Sequence, residues 1–203
     1  MGDVTGKDQI RDAIQSLLEA FNRSYGLDTD DENFRETPDR VARAYEEILA
    51  GVSDTDQQGK KVLSKSFPCK SDSMVTVSGI RTYSLCPHHL QPVEYETSAA
   101  YIPSTNGGEV VGLSKIPRLV EILSKRPVLH EQLAADIVDA LASIPGCRGS
   151  ACYMRGRHFC MVTRGARQHA AVTTVSAMRG VFLEDSGAKS EFLDLARQSV
   201  KSV

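Results

Sequence analysis

Apolar residues first recur at helical spacing near the N-terminus. Ile10, Ile14, Leu17, Leu18 and Phe21 share one face of an amphipathic helix over roughly residues 8–24. After a polar stretch to about Arg35, Thr37-Pro38 reads as an N-cap with proline in the first turn. Val41, Ala44, Tyr45, Ile48 and Leu49 give this second helix its stripe, and Gly51 suits its C-terminal cap. Residues 52–61 are polar and predict a loop. The period then changes. Met74 to Val77 alternates as a half-buried strand does, and Tyr95 to Ile102 predicts a strand ending at Pro103. Asn106-Gly107-Gly108 marks a turn before a short apolar strand at Val110-Val111. Helical spacing returns in Ile116, Leu119, Val120 and Leu123, where Pro117 is tolerable only in the first turn. Arg126-Pro127 breaks the chain before another stripe, Leu129, Leu133, Ile137, Val138 and Leu141, which Ile144-Pro145-Gly146 ends. Strands are expected at about 149–163 and 170–182, then a last helix carrying Phe192, Leu193, Leu195 and Ala196. Strands and helices are segregated, so the pattern is α+β rather than a regular βαβ alternation.

Composition adds exclusions. The chain has 203 residues, a formal net charge of -2, 41% hydrophobic and 25% charged residues, as an ordinary globular protein does. With a sequence pI of about 6.2, neither a nucleic acid nor a membrane is the expected partner. No apolar run approaches the roughly 18 residues of a membrane helix, and the start has no signal-peptide pattern. Gly6 stands where a myristoylation motif wants Ser or Thr. A cytoplasmic location is the expectation.

The chemistry concentrates in two clusters. Five cysteines, an odd number, argue against a disulfide framework, and Cys69, Cys147 and Cys152 are expected to be buried small hydrophobes. Cys86 and Cys160 have different company. Cys86-Pro87-His88-His89 packs a thiol and two imidazoles into one turn, and His158-Phe159-Cys160 adds a pair that would share a face if it lay on a strand. The plain alternative is a buried Cys beside surface histidines. Together the clusters offer five donors suited to zinc, more than a closed structural site takes; a catalytic site takes three and leaves a position for water. Surplus histidines could then move protons. Periodicity does not choose among the five.

In these residues the sequence resembles the GTP cyclohydrolase I family, from about residue 32 to residue 195. Thr37-Pro38-Asp39-Arg40-Val41-Ala42 is family-like, and Cys86-Pro87-His88-His89 resembles the family's Cys-Glu-His-His. Ala100-Tyr101-Ile102-Pro103, Gly112-Leu113-Ser114-Lys115, Arg118 and Arg126-Pro127 follow in order. His130-Glu131-Gln132-Leu133 resembles Gln-Glu-Arg-Leu, and His158-Phe159-Cys160-Met161 with Arg164-Gly165 completes the set. The resemblance implies a tunnelling fold: an antiparallel sheet with packed helices, subunit sheets joined into a barrel, and a homodecamer with active sites between subunits. It implies an N-terminal helical extension over 1–55 and a catalytic domain over 56–203. It implies zinc on Cys86, His89 and Cys160, with water in the open position giving hydroxide near neutral pH. GTP would be attacked at C8, with His158 protonating the ring nitrogen and His88 assisting. After formate leaves, Ser114 would help the ribose rearrange before ring closure to 7,8-dihydroneopterin triphosphate. Glu131, as a buried acceptor-only carboxylate beside His130, would read guanine. Lys115, Arg118 and Arg164 would hold the triphosphate; taken alone, they would pass for solvated charges.

Three positions depart from the family pattern: Pro87 stands for Glu, His130 for Gln and Tyr95 for a common Gly. Pro87 and His130 motivate a rival reading, a homologue that opens the guanine ring of GTP or a related nucleotide but stops early. A non-catalytic nucleotide-binding subunit is the alternative from another class. Retention of Cys86, His89, His158 and Cys160 weighs against it, since a scaffold has no chemical need of them.

Overall fold

The computed structural model describes residues 6–53 and 55–198. The chain divides into two compact units, one ending at Ala50 and one beginning at Gly51. In the first, α1 (Gly6–Tyr25) and α2 (Thr37–Ile48) pack on each other through Leu18, Pro38 and Ala42. Lys7 and Glu46 pair at 3.1 Å. Asp31 caps the single 3-10 turn between the helices, its carboxylate accepting from the Asn33 N–H at 2.8 Å. Thr37 is the first helical residue and Glu36 precedes it in the cap position, so the expected threonine cap lies one residue late. Nor does Gly51 cap α2, which closes at Leu49. A Cβ on Gly51 would stand 2.6 Å from the Ile122 carbonyl oxygen, so close backbone packing is the reason for this glycine.

The second unit is built on an antiparallel sheet in the order β2-β3-β5-β6: Val75–Leu85, Pro92–Pro103, Cys147–His158 and Thr173–Gly180. A two-stranded ribbon pairs β1 (Ser66–Cys69) with β4 (Gly108–Val111). Strand periodicity divides the side chains between two layers. Val93, Tyr95, Ala99 and Tyr101 of β3, with Cys152 and Met154 of β5, meet α4 (Lys115–Ser124) and α5 (His130–Ala142) through Ile116, Leu119, Leu133, Ile137 and Leu141. On the opposite face Ala100, Ile102, Ala151 and Met178 meet Phe182 of α7 (Val181–Glu184) and Phe192 and Ala196 of α8 (Ser186–Gln198). Covered on both sides, the C-terminal half of β3 is buried throughout. The α+β expectation, an antiparallel sheet with packed helices, therefore describes this unit.

Three local expectations are corrected. The 52–61 segment is mostly helix: α3 runs Thr55–Leu63, while Asp54 lies outside the described residues. Its sequence is a poor helix former; it is held by α4, with Gly59 close to Leu119 and Leu63 buried. β2 runs on to Leu85 past a bulge between Val77 and Ile80, where Gly79 takes φ 72° and breaks the alternation. β5 stops at His158, and Phe159–Val162 forms a helical turn, α6, in place of the strand expected to continue to 163. No described helix is long and apolar enough to cross a membrane.

Candidate metal centre and nucleotide cleft

Three chain segments meet at one end of the sheet. The β2–β3 hairpin closes at Cys86, whose N–H donates to the Gln91 carbonyl at 2.9 Å. Within it the His89 N–H reaches the Cys86 carbonyl at 3.4 Å, putting Pro87 at the second position of a tight turn. There its fixed φ pre-forms the loop, which gives this departure from the family pattern a structural role. The loop entering α5 is tied to the same edge: Ser84 Oγ donates to the Arg126 carbonyl at 2.7 Å, and the Val128 N–H to the Leu85 carbonyl at 3.3 Å. Arg126 is anchored in turn on Asp136 and on the Leu123 carbonyl. Finally, β5 pairs His158 with Val93, bringing the strand end and α6 beside the hairpin.

The result is a cluster in which donor atoms of Cys86, His158 and Cys160 all lie within 4.8 Å of one another. His158 and Cys160 converge because the chain turns from strand to helix between them, not because they alternate on a strand. Cys86 is buried and the other two half-buried. Burial first, then the neighbouring Cys86, holds the Cys160 thiol above its ordinary pKa. A cation between the sulfurs would reverse that preference, since metals bind the thiolate. Two soft sulfurs and an imidazole at this spacing fit zinc.

The other predicted site residues fall into two groups. His88 is exposed, with Nδ1 3.9 Å from Cys86 Sγ. His89 is exposed too, and its Nε2 accepts from Arg164 at 3.1 Å, outside the Cys86–His158–Cys160 cluster. His130 and Glu131 occupy the first turn of α5 and line a cleft of about 290 Å³ with Cys86, His88, His89, His158 and Cys160. Glu131 is exposed rather than buried as expected. Burial and the nearby His158 lower the His130 pKa to about 4, so the ring is neutral near pH 7. Burial also lowers that of His158, against the opposing pull of Glu131. Neither His130 nitrogen forms a hydrogen bond of ordinary geometry; the Met154 backbone is close enough only to favour the charged ring weakly. Ser114, Lys115 and Arg118 sit at the start of α4 and are not among the residues lining the cleft. Of the other cysteines Cys152 is fully buried, its thiol pushed up to about 12 by burial, whereas Cys69 and Cys147 are half-buried. Sequence reasoning missed Val128, Leu129, Met161 and Thr173 in the lining. Only contact across the fold reveals them.

Comparison with known proteins adds an independent line. The family model described as GTP cyclohydrolase I matches residues 10–197. The GTP cyclohydrolase 1 of Clostridium perfringens is 41% identical over 185 residues, covering 91% of this chain and 95% of the relative. That of Mycolicibacterium paratuberculosis is 41% identical over 196 residues, covering 94% of each. That of Mycolicibacterium vanbaalenii is 43% identical over 184 residues, covering 90% of this chain and 87% of the relative. Among solved structures, an archaeosine synthase QueF-like protein in the apo form superposes with a TM-score of 0.43 at 23% identity, covering 55% of this chain and 97% of that one.

Proposed function

The chain belongs to the GTP cyclohydrolase I family, and from that premise we propose that it is a zinc-dependent GTP cyclohydrolase I. It converts GTP and water to 7,8-dihydroneopterin triphosphate and formate. The observation that carries this reading is the convergence of Cys86, His158 and Cys160 within 4.8 Å in the cleft that Glu131 also lines. Cys86 and Cys160 would hold the ion as thiolates, and His89, three residues beyond Cys86, would be its third ligand through an imidazole nitrogen. A zinc ion held there would supply Lewis acidity, making hydroxide available near neutral pH. One observation favours a second ligand set: in this arrangement His158, not His89, is the imidazole beside the two sulfurs.

The chain's own groups do the rest. His158, whose pKa burial lowers against the pull of Glu131, takes up and delivers the proton that the opening ring nitrogen needs, and His88 assists at the cleft mouth. Glu131 offers two acceptor oxygens to the N1–H and amino donors of guanine; adenine has no hydrogen at N1 and would meet them with a lone pair. His130 stands beside it at the base end. Arg164 binds triphosphate with Lys115 and Arg118, and Ser114 aids the ribose rearrangement. A cleft of about 290 Å³ is at the lower limit of ligand sites, roughly 300 Å³. With Ser114, Lys115 and Arg118 outside its lining, a second copy completes the site. β2 and β6 are the sheet's outer strands, and beyond the Leu85–Pro127 bridge at the end of β2 their outer edges suit joining between copies. The assembly is a homodecamer, and its location the cytoplasm.

Incubation with GTP, following formate and pterin fluorescence in one sample, tests the activity. Both products are expected. Formate without a pterin indicates a homologue that stops early, and neither product a non-catalytic subunit. Light scattering tests the assembly, and a stable, active monomer would refute it.

A further inference from the structure

Tyr95 and His130 are two of the three departures from the family pattern, and they lie 35 positions apart in the chain, yet the fold puts them in contact. Their ring centroids are 4.8 Å apart at 45°. Both also meet His158. Tyr95 stands edge-on to it at 6.3 Å and 85°, and His130 is tilted at 5.7 Å and 44°. Register explains the meeting. Tyr95 pairs with Gly156 and Val93 with His158, so all four share the sheet face that α5 covers. Gly156 makes the space: a Cβ there would come within 2.9 Å of Cε1 of both His130 and Tyr95. Tyr95 is 0% and His130 2% exposed, so neither ring can swing out into solvent. The Tyr95 hydroxyl and both His130 nitrogens make no hydrogen bond of ordinary geometry. What they offer His158 is therefore ring surface, not a hydrogen bond.

We infer that Tyr95 and His130 are positioning residues for His158, two aromatic walls that hold its ring in one orientation at the cleft, with Gly156 as the gap that admits them. The inference rests on the reading of His158 as the proton donor of the cyclohydrolase reaction. Packed against both rings, His158 keeps one rotamer; with either ring removed it gains a second, and its nitrogen spends less time aligned with the reacting atom.

The experiment compares Tyr95→Leu and His130→Ala with Tyr95→Phe, which keeps the ring and loses only the unpartnered hydroxyl. With GTP as substrate, Tyr95→Leu and His130→Ala are expected to lower kcat by about tenfold, with KM changed by less than about threefold and zinc content unchanged. Tyr95→Phe is expected to restore kcat to within about twofold of the parent. Crystal structures give a readout that does not depend on turnover: His158 in two rotamers in the Leu and Ala variants, in one in the parent and Tyr95→Phe. Should Tyr95→Leu fail to fold, His130→Ala carries the same comparison. A single His158 rotamer in both disruptive variants, or a Tyr95→Phe enzyme as slow as Tyr95→Leu, overturns the inference. A parent that yields neither formate nor pterin refutes the proposed activity instead, and the rotamer comparison still decides the positioning.

Discussion

Replacing Gly156 by alanine puts one methyl group where the structure has no room for it. The new carbon would lie 2.9 Å from Cε1 of His130, 2.9 Å from Cε1 of Tyr95 and 3.1 Å from His130 Nδ1. Carbon pairs prefer roughly 3.5–4.0 Å, so it presses on two buried rings at once. Overpacking by one methyl costs about 1–3 kcal/mol. Against this, alanine removes unfolded-chain freedom that glycine has, a gain of about 0.4–1 kcal/mol. The expected net loss is about 1–2 kcal/mol, or roughly 2–8 °C in the apparent Tm of a unit this size. Thermal unfolding should be followed at fixed protein and zinc concentrations, because assembly and metal binding both shift Tm. Gly59→Ala is the control: its Cβ would meet Leu119 Cδ1 at an ordinary 3.4 Å, and alanine favours a helix by up to about 1 kcal/mol, so no loss is expected. Combining Gly156→Ala with His130→Ala removes one of the obstructing rings. The double variant should therefore lose less than the sum of the singles, with a coupling of about 1 kcal/mol. An unchanged Tm for Gly156→Ala, or strict additivity in the cycle, would refute the claim that these rings fill the space above Gly156.

The zinc assignment predicts about one ion per chain, lost in Cys86→Ala and Cys160→Ala and retained in His158→Ala; metal analysis decides, and loss in His158→Ala with retention in His89→Ala would make His158 the third ligand. Glu131→Ala should keep zinc and lose roughly 30- to 1,000-fold in kcat/KM for GTP, the equivalent of about 2–4 kcal/mol for a charged hydrogen-bond acceptor; steady-state kinetics at the parent value would reopen the substrate. His130, with a folded pKa of about 4 against 6.5, takes its proton more readily unfolded, so stability is kept above pH 6.5 and falls as pH drops toward 4, by up to roughly 3 kcal/mol. Denaturant titrations of chelator-treated protein should show this slope, reduced in His130→Phe; an equal slope in that variant would exclude His130 as its source.

Wherever a segment's own pattern carried enough apolar periodicity, the chain could be read in advance. The stripe Leu133, Ile137, Val138, Leu141 defines the buried face of α5, and Ile116, Leu119, Val120, Leu123 that of α4. The two donor clusters were equally legible, because thiols and imidazoles within four residues are a local fact of the sequence. Segments whose structure is imposed from outside were not legible. α3 is polar and contains Gly59, and becomes a helix because α4 offers Leu119 and Leu123 beside it. Past the bulge at Gly79, β2 alternates in burial but not in polarity, because Thr82 and Ser84 face inward while Tyr83 faces out.

The candidate site divides the same way. Residue types alone established that Cys86, His88, His89, His158 and Cys160 offer zinc-type donors, since ligand softness is a property of the side chain. Which imidazole faces the two sulfurs depends on β5 ending at His158, on α6 turning Cys160 back, and on Arg164 engaging His89. The neighbourhood of His158 likewise belongs to the tertiary structure. Tyr95, His130 and Gly156 come from two strands and a helix, and only strand register and helix packing bring them together. Donor chemistry is carried by each residue wherever it lies, whereas proximity between distant residues is set by the packing of whole elements, which no local stretch of sequence encodes.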